Sequence, residues 1–231
     1  MISIEPQRLN ALRKQIIIRF GLAAFLIPVI LFAMAGTIHY WQGWLYWMVL
    51  LIPMVAAVSY FLKTDPKLLE RRMKYKEKES EQRTIIHVGT VVLVAGFLAI
   101  SLDLRLHGLN QVPPSIVLAA DAGVLLGYFF ILWVFKVNSY ASRTIEVVEG
   151  QKVITTGPYS IIRHPMYLGS LVMCLLTPIA LGSWWAVPVF SLYIPILVWR
   201  IFNEEKVLLK DLPGYYDYCQ KMRYQLVPLI W

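Results

Sequence analysis

Two cysteines are all that this chain of 231 residues holds: Cys174 in an apolar stretch and Cys219 near the C-terminus. So few thiols, so differently placed, exclude a disulfide framework and a cysteine zinc site, and no metal is expected. Each reads as a small apolar filler. Charge is scarce as well, at 16% of residues, and the acids (14) are fewer than the bases (22), for a net charge of +8. No internal repeat is found. Nor is there a cleavable signal: Glu5-Pro6-Gln7 and scattered bases precede a first apolar run too long for a signal core, with no small-residue cleavage site. The N-terminus is therefore expected to stay attached.

What fills the chain instead is hydrocarbon. Hydrophobic residues make up 58%, eight of them tryptophan, and the mean hydropathy is +0.59. Soluble domains lie nearer to about 45–50%. Crossing a bilayer takes about 20 apolar residues, and 16–36, 41–62, 85–102 and 115–137 each qualify. A fifth region, 166–202, holds two short apolar segments separated by Gly182-Ser183, which predicts a helical hairpin. The expectation is an all-α integral membrane protein of about six transmembrane helices. Only Arg105 among the 22 basic residues then falls on the far side. By the excess of Lys and Arg in cytoplasmic loops, both termini are expected in the cytoplasm, in a plasma or inner membrane if the source is bacterial. The bases lie within a turn or two of the spans, so the net charge reports topology and anionic lipid, not nucleic acid.

Two parts emerge along the chain. Residues 1–112 hold three spans and a charged loop, 63–84. Asp65-Pro66 there reads as an N-cap and first helical position, and Leu68, Leu69 and Met73 among charges predict a short helix on the membrane surface, an anchor and not a site. Residues 113–231 carry nearly all the chemistry. Asp121, in the fourth span, is the one ionisable residue placed for a transporter's mid-membrane site; its position near the non-cytoplasmic end reads as a satisfied interfacial acid. Asp103 and Arg105 read as boundary markers.

The connection 138–165 predicts two extended arms around Thr144–Val147 and Val153-Ile154, joined by a turn at Glu149-Gly150. Gly157-Pro158-Tyr159 turns the chain again before Arg163-His164-Pro165. Such a segment folds back as a polar cap over the mouth of the helices. Pro165 suits the first turn of the next helix, whose positive end makes the neighbourhood of His164 a place for an anion. At the other end of the hairpin, Arg200 and Glu204 stand one turn apart on a helix leaving the membrane, and neighbouring Glu205 points about 100° away. The tyrosine-rich tail returns to the membrane face, with Tyr215, Tyr218, Arg223 and Tyr224 closing over a pocket.

The ordered set Gly157-Pro158-Tyr159, Arg163-His164-Pro165-Met166-Tyr167-Leu168-Gly169, then Glu204-Glu205 and a Gly-Tyr tail resembles the isoprenylcysteine carboxyl methyltransferase family and its phospholipid-methylating relatives. The resemblance covers roughly residues 138–228. It implies an integral membrane enzyme that uses S-adenosylmethionine in a cytoplasm-facing pocket, with a lipophilic or prenylated substrate arriving sideways from the bilayer. By position it implies a cofactor group of Pro158, Tyr159, His164, Tyr167, Gly169, Glu204 and Glu205, with Tyr218 from the tail.

Methyl transfer needs positioning and desolvation of the nucleophile, without an obligatory metal or covalent intermediate. Glutamates can hold amino and ribose groups, and tyrosine faces a sulfonium. A carboxylate acceptor needs an arginine, so Arg163, Arg200 and Arg223, with Glu204, form the expected catalytic group. An amine acceptor needs a carboxylate or tyrosine to take its proton. Gly214-Tyr215-Tyr216-Asp217-Tyr218 has one acid where the prenylcysteine enzymes carry an acidic pair, which leaves a phospholipid amine or another small lipophilic acceptor open. The alternatives are an NADPH-dependent sterol-type membrane reductase and a non-enzymatic transporter or lipid-binding scaffold.

Overall fold

A computed structural model describes residues 6–74, 80–109 and 111–231; residues 75–79 of the charged loop lie outside the described set. The helices are α1 (Pro6–Ala35), α2 (Trp41–Thr64), α3 (Pro66–Met73), α4 (Ser80–His107), α5 (Pro114–Val137), α6 (Pro165–Ala180), α7 (Val187–Ser191), α8 (Tyr193–Asp211) and α9 (Tyr215–Lys221). No strand occurs among the described residues. In hydrocarbon a helix satisfies its own backbone, so the apolar runs become helices. Many of their large side chains point outward, Ile17, Phe25, Val91 and Leu126 being about two-thirds exposed or more. Water does not tolerate so much exposed apolar surface, whereas acyl chains do.

Five stretches are long and apolar enough to cross a membrane: Gln7–Ala35, Trp41–Thr64, Ser80–His107, Pro114–Val137 and Val187–Asp211. The protein is a multi-pass membrane protein. Helix α6, with 16 residues, is shorter, about 24 Å at 1.5 Å per residue. It nevertheless runs the length of the bundle. Its first turn lies beside the end of α5, and at its other end Tyr40 donates its hydroxyl to the Leu181 carbonyl, while Gly182 sits against Gln42 and the Leu109 carbonyl.

Two devices allow this short helix its place. A Cβ on Gly127 would lie 2.8 Å from Met173 Cγ and 3.1 Å from the Gly169 carbonyl, and one on Gly169 would lie 2.6 Å from Ile131. With Gly123 four residues before Gly127, this is small-residue packing that lets two membrane helices touch backbone to backbone. The turn after α6 uses Gly182 at φ +78°, a left-handed conformation cheap for glycine.

The far end is closed by a polar knot. Asp103, 3% exposed, accepts from the Ser183 hydroxyl, and its other oxygen pairs with His107 Nδ1 at 2.8 Å. The His107 ring stacks on Trp185. Arg105 donates to the carbonyls of Ala33 and Met34, binding the end of α1. Asp121 departs from expectation: it is 3% exposed in the bundle, and neither carboxylate oxygen has a hydrogen-bond partner among the described residues. Its helix turns it inward, away from the interface where water would have satisfied it.

At the opposite end α3 forms where Asp65-Pro66 predicts it, with Asp65 Oδ1 accepting from the Leu68 amide at 3.1 Å. Leu68 and Leu69 are buried against Leu12, Ile16 and Phe61, which fixes α3 on α1 and α2. The segments around 144–147 and 153–154 form no sheet; between them Gly150 takes φ +72° and the Gln151 amide donates to the Val148 carbonyl.

Candidate active site

A cavity with about 850 Å³ of empty space, mouth included, lies where the 138–164 connection, the first turn of α6, the outer part of α8 and the tail meet. Two neighbouring glutamates on α8 divide the work there, because a step of about 100° per residue sends them in different directions.

Glu205, 8% exposed, faces inward and down. Arg163 Nη1 reaches its two oxygens at 3.1 and 3.3 Å, His164 Nε2 lies 3.1 Å from Oε1, and Gln225 donates to Oε2 at 3.1 Å. Arg163 also donates to the carbonyls of Met222 (2.7 Å) and Cys219 (3.2 Å). Backbone bonds from the Arg163 and His164 amides to the carbonyls of Tyr224 and Gln225 run alongside. This is a clasp: one buried carboxylate on α8 gathers donors from the connection and the tail. A buried ion pair of this kind holds only because its remaining lone pairs are also satisfied.

Glu204 takes the other face and lines the cavity. The Tyr167 hydroxyl donates to Glu204 Oε2, and Arg200 Nε donates to that same hydroxyl at 2.9 Å. Arg200 and Glu204, the expected pair one turn apart, are thus linked through Tyr167. The Tyr167 ring stacks on His164 and lies under the Arg200 guanidinium.

Tyrosines make the roof. Tyr218 donates to the Tyr159 carbonyl at 2.7 Å, and the Tyr159 hydroxyl accepts from Asn138 at 2.8 Å. Burial pushes Tyr159 up to about 12, with the nearby Glu204 charge adding to the rise. Burial likewise raises Tyr215 and Tyr218 well above the usual tyrosine value. All three are neutral phenols near pH 7 and offer no tyrosinate base. Tyr215 lines the cavity, and its buried hydroxyl has no hydrogen-bond partner among the described residues.

Of the residues expected to act, Tyr159, Arg163, His164, Tyr167, Arg200, Glu204 and Tyr218 border the cavity. Pro158 is instead buried inside the helical turn Gly157–Ser160, and Gly169 serves the α5–α6 contact. Glu205 stands behind the wall in the clasp. Arg223 is exposed and apart from the lining; the Arg163 contacts to Cys219 and Met222 turn the preceding residues inward and leave it outside. Sequence reasoning missed Gln225, whose signal is a lone amide between Tyr224 and Leu226, and the close approach prepared by Gly123 and Gly127 four residues apart.

The inventory suits a ligand with a cationic portion and polar hydroxyls. Glu204 and the aromatic residues Tyr159, Tyr167, Tyr215 and Tyr218 all line this one cavity.

Comparison with known proteins agrees with this geometry. Residues 116–212 match the family model described as Phospholipid methyltransferase. Protein-S-isoprenylcysteine O-methyltransferase B of Arabidopsis thaliana is 34% identical over 80 residues, 32% of this chain and 39% of that protein. Delta(14)-sterol reductase TM7SF2 of Mus musculus is 29% identical over 92 residues, 38% of this chain and 22% of that protein. The chain thus spans well under half the length of these relatives. The solved structure of the eukaryotic intramembrane Ras methyltransferase ICMT (isoprenylcysteine carboxyl methyltransferase) superposes with a TM-score of 0.63 at 18% identity, covering 91% of this chain and 75% of that one. At that identity the likeness is one of fold. The match over residues 116–212, a fold shared along nine-tenths of the chain and the ordered motif around His164 and Glu204 make this chain similar to the isoprenylcysteine carboxyl methyltransferases and their phospholipid-methylating relatives.

Proposed function

We propose that this protein is a membrane methyltransferase that moves the methyl group of S-adenosylmethionine to a lipophilic acceptor, the carboxylate of an isoprenylcysteine-like molecule. The observation that carries the reading is the cavity wall on which Glu204, Tyr167 and Arg200 are chained by hydrogen bonds beneath a tyrosine roof. Six crossings, α6 included, with both termini and the cavity toward the cytoplasm, follow from the basic residues.

Bound there, S-adenosylmethionine would supply an electrophilic methyl carbon for an acceptor oxygen, its carbon–sulfur bond breaking to leave a thioether. The chain's part is to bind and orient. Glu204 and Tyr215 would hold polar groups of the cofactor, and the faces of Tyr159, Tyr167 and Tyr218 would meet its positive charge. The tail, locked by Glu205, excludes water, which strengthens these interactions. Arg200, held by Tyr167, orients an acceptor oxyanion. A carboxylate has no proton to surrender, in keeping with a site whose buried tyrosines are all neutral; an amine would require Glu204 or another carboxylate as base.

Calorimetry with S-adenosylhomocysteine on the detergent-purified protein tests the assignment. Micromolar binding is expected, weakened about tenfold, or 1.4 kcal/mol, by Glu204→Gln and less by Tyr215→Phe, with melting temperatures preserved. The match to a sterol reductase supports one second reading, NADPH binding at the same cavity. Binding of NADPH by protein that ignores S-adenosylhomocysteine would replace the first reading with the second.

A further inference from the structure

Asp121 is an ionisable residue for which the candidate site has no use. It lies about two turns into α5, is 3% exposed, and neither of its carboxylate oxygens meets a hydrogen-bond donor among the described residues. Ala120 and Val124, on the same helix, pack in one buried cluster with Tyr40, Tyr46, Ala180 and Leu181. The acid therefore stands where α5 meets the start of α2 and the end of α6.

No base compensates it among the described residues; burial alone acts on it. The ionisable groups that feel its charge are Tyr40 and Tyr46, with the Cys174 thiol of α6 in reach of Tyr46. Arg105 and His107 are committed elsewhere, to the Ala33 and Met34 carbonyls and to Asp103.

The surrounding hydroxyls give no help, because their hydrogens are already spent. Thr177 donates to the Met173 carbonyl at 2.8 Å, so the 2.8 Å contact between Tyr46 and Thr177 takes its hydrogen from Tyr46. Tyr40 donates to the Leu181 carbonyl. Each tyrosine oxygen keeps lone pairs and has no hydrogen left to give. Gln42, in the first turn of α2, adds to the imbalance: its amide nitrogen serves the Leu109 carbonyl, and its buried oxygen has no donor among the described residues. This end of the bundle thus holds surplus acceptors and one uncompensated negative charge, in surroundings where both are costly.

We infer that Asp121 is an intramembrane site for a small monovalent cation, either a proton or a sodium ion, which supplies the missing positive charge. One carboxylate balances one positive charge, and oxygen ligands suit a hard cation. Calcium takes six to eight oxygens, commonly several carboxylates, and magnesium keeps several waters, neither of which a single enclosed acid provides. A proton turns one carboxylate oxygen into a donor for an oxygen that otherwise has only acceptors around it. A sodium ion gathers the same oxygens. Either occupant ties α5 to α2 at the end of the bundle opposite the cavity, and the inference stands apart from the methyltransferase reading.

Thermal melting of the full-length protein in nanodiscs tests it, with wild type, Asp121→Asn and Asp121→Leu compared in sodium chloride and in choline chloride of equal strength across the neutral pH range. If sodium is the occupant, sodium at about a hundred times its dissociation constant raises the wild-type melting temperature by about 5–10 °C, and neither variant responds. If the proton is the occupant, sodium has no effect and the wild-type melting temperature falls as pH rises, because the folded bundle holds a proton that the unfolded chain releases; both variants flatten that slope. The infrared carbonyl stretch of a protonated carboxyl is then present in wild type and missing from Asp121→Asn. Should Asp121→Asn not fold, Asp121→Leu, which needs neither donor nor cation, carries the comparison. Should neither fold, wild type is measured alone, and the absence of both the sodium response and the protonated-carboxyl band overturns the inference. Variants that fold and shift with pH and sodium just as wild type does, with no carboxyl band to tell them apart, overturn it as well.

Discussion

At the far end of the bundle Asp103 is enclosed by Ser183 and His107, with both oxygens engaged. At the cavity end Glu204 is engaged at one oxygen by a tyrosine that is itself tied to an arginine, and the rest of its surface faces empty space. Both are acids near the margin of a membrane protein, where a charge has to be compensated. The first is compensated wholly by the protein and closes a turn. The second is compensated in part, which leaves capacity for a ligand. Glu205, one residue along the same helix, behaves like Asp103: three donors consume it, and it holds the tail in place. Completeness of pairing thus sets Asp103 and Glu205, consumed by the fold, apart from Glu204 at the cavity.

Substitutions can break or sharpen that contrast. The largest effect is expected from Glu205→Ala, which strands Arg163 and frees the tail. A loss of about 3–5 kcal/mol is expected for removing one partner of a buried pair, visible as a lowered melting temperature and protease cleavage beyond Leu212, with cofactor binding lost as a consequence. Gly127→Leu comes next. Its side chain meets Met173 and the Gly169 backbone, so overpacking of about 1–3 kcal/mol should separate α5 from α6 and lower thermal stability and activity together. Asp103→Asn should cost about 1–2 kcal/mol by weakening two charge-assisted bonds, while S-adenosylhomocysteine affinity stays as in wild type. Glu204→Gln should show the reverse pattern, an intact melting temperature and about tenfold weaker cofactor binding. If the two latter variants exchange phenotypes, the distinction between complete and partial pairing is wrong. Arg223→Ala, at an exposed position off the cavity, should stay within about 0.5 kcal/mol of wild type and leave activity unaltered.

How far these roles were legible beforehand varies by residue. The long apolar runs, the hairpin at Gly182-Ser183, the Asp65-Pro66 helix start and the turn at Gly150 are local signals, and each stands in the structure where the sequence puts it. Tyr159, His164, Tyr167, Glu204 and Tyr218 could be picked because their order matches a known motif. Pro158 and Gly169 stand in the same motif for different reasons, one shaping a turn and the other admitting a neighbouring helix. A motif does not distinguish contact with a ligand from support of the residue that makes it. The approach of Arg72, whose Nη1 donates to the Ser142 carbonyl, was invisible, since it stands 85 residues before Gly157 and its charged neighbours suggest a solvated loop.

The sequence by itself determined that the chain is helical and membrane-embedded, because hydrocarbon forces each apolar run to satisfy its own backbone, and it marked the cavity end through the crowding of polar residues there. Only the tertiary structure decided that Glu205 is a clasp while Glu204 faces the cavity, that the Tyr215 hydroxyl is buried without a partner among the described residues, and that α3 reaches the connection bordering the cavity. Those assignments turn on which way a side chain points after helices far apart in sequence have packed, and the pairing of a buried charge is settled by the groups that reach it in space, not by those beside it in the chain.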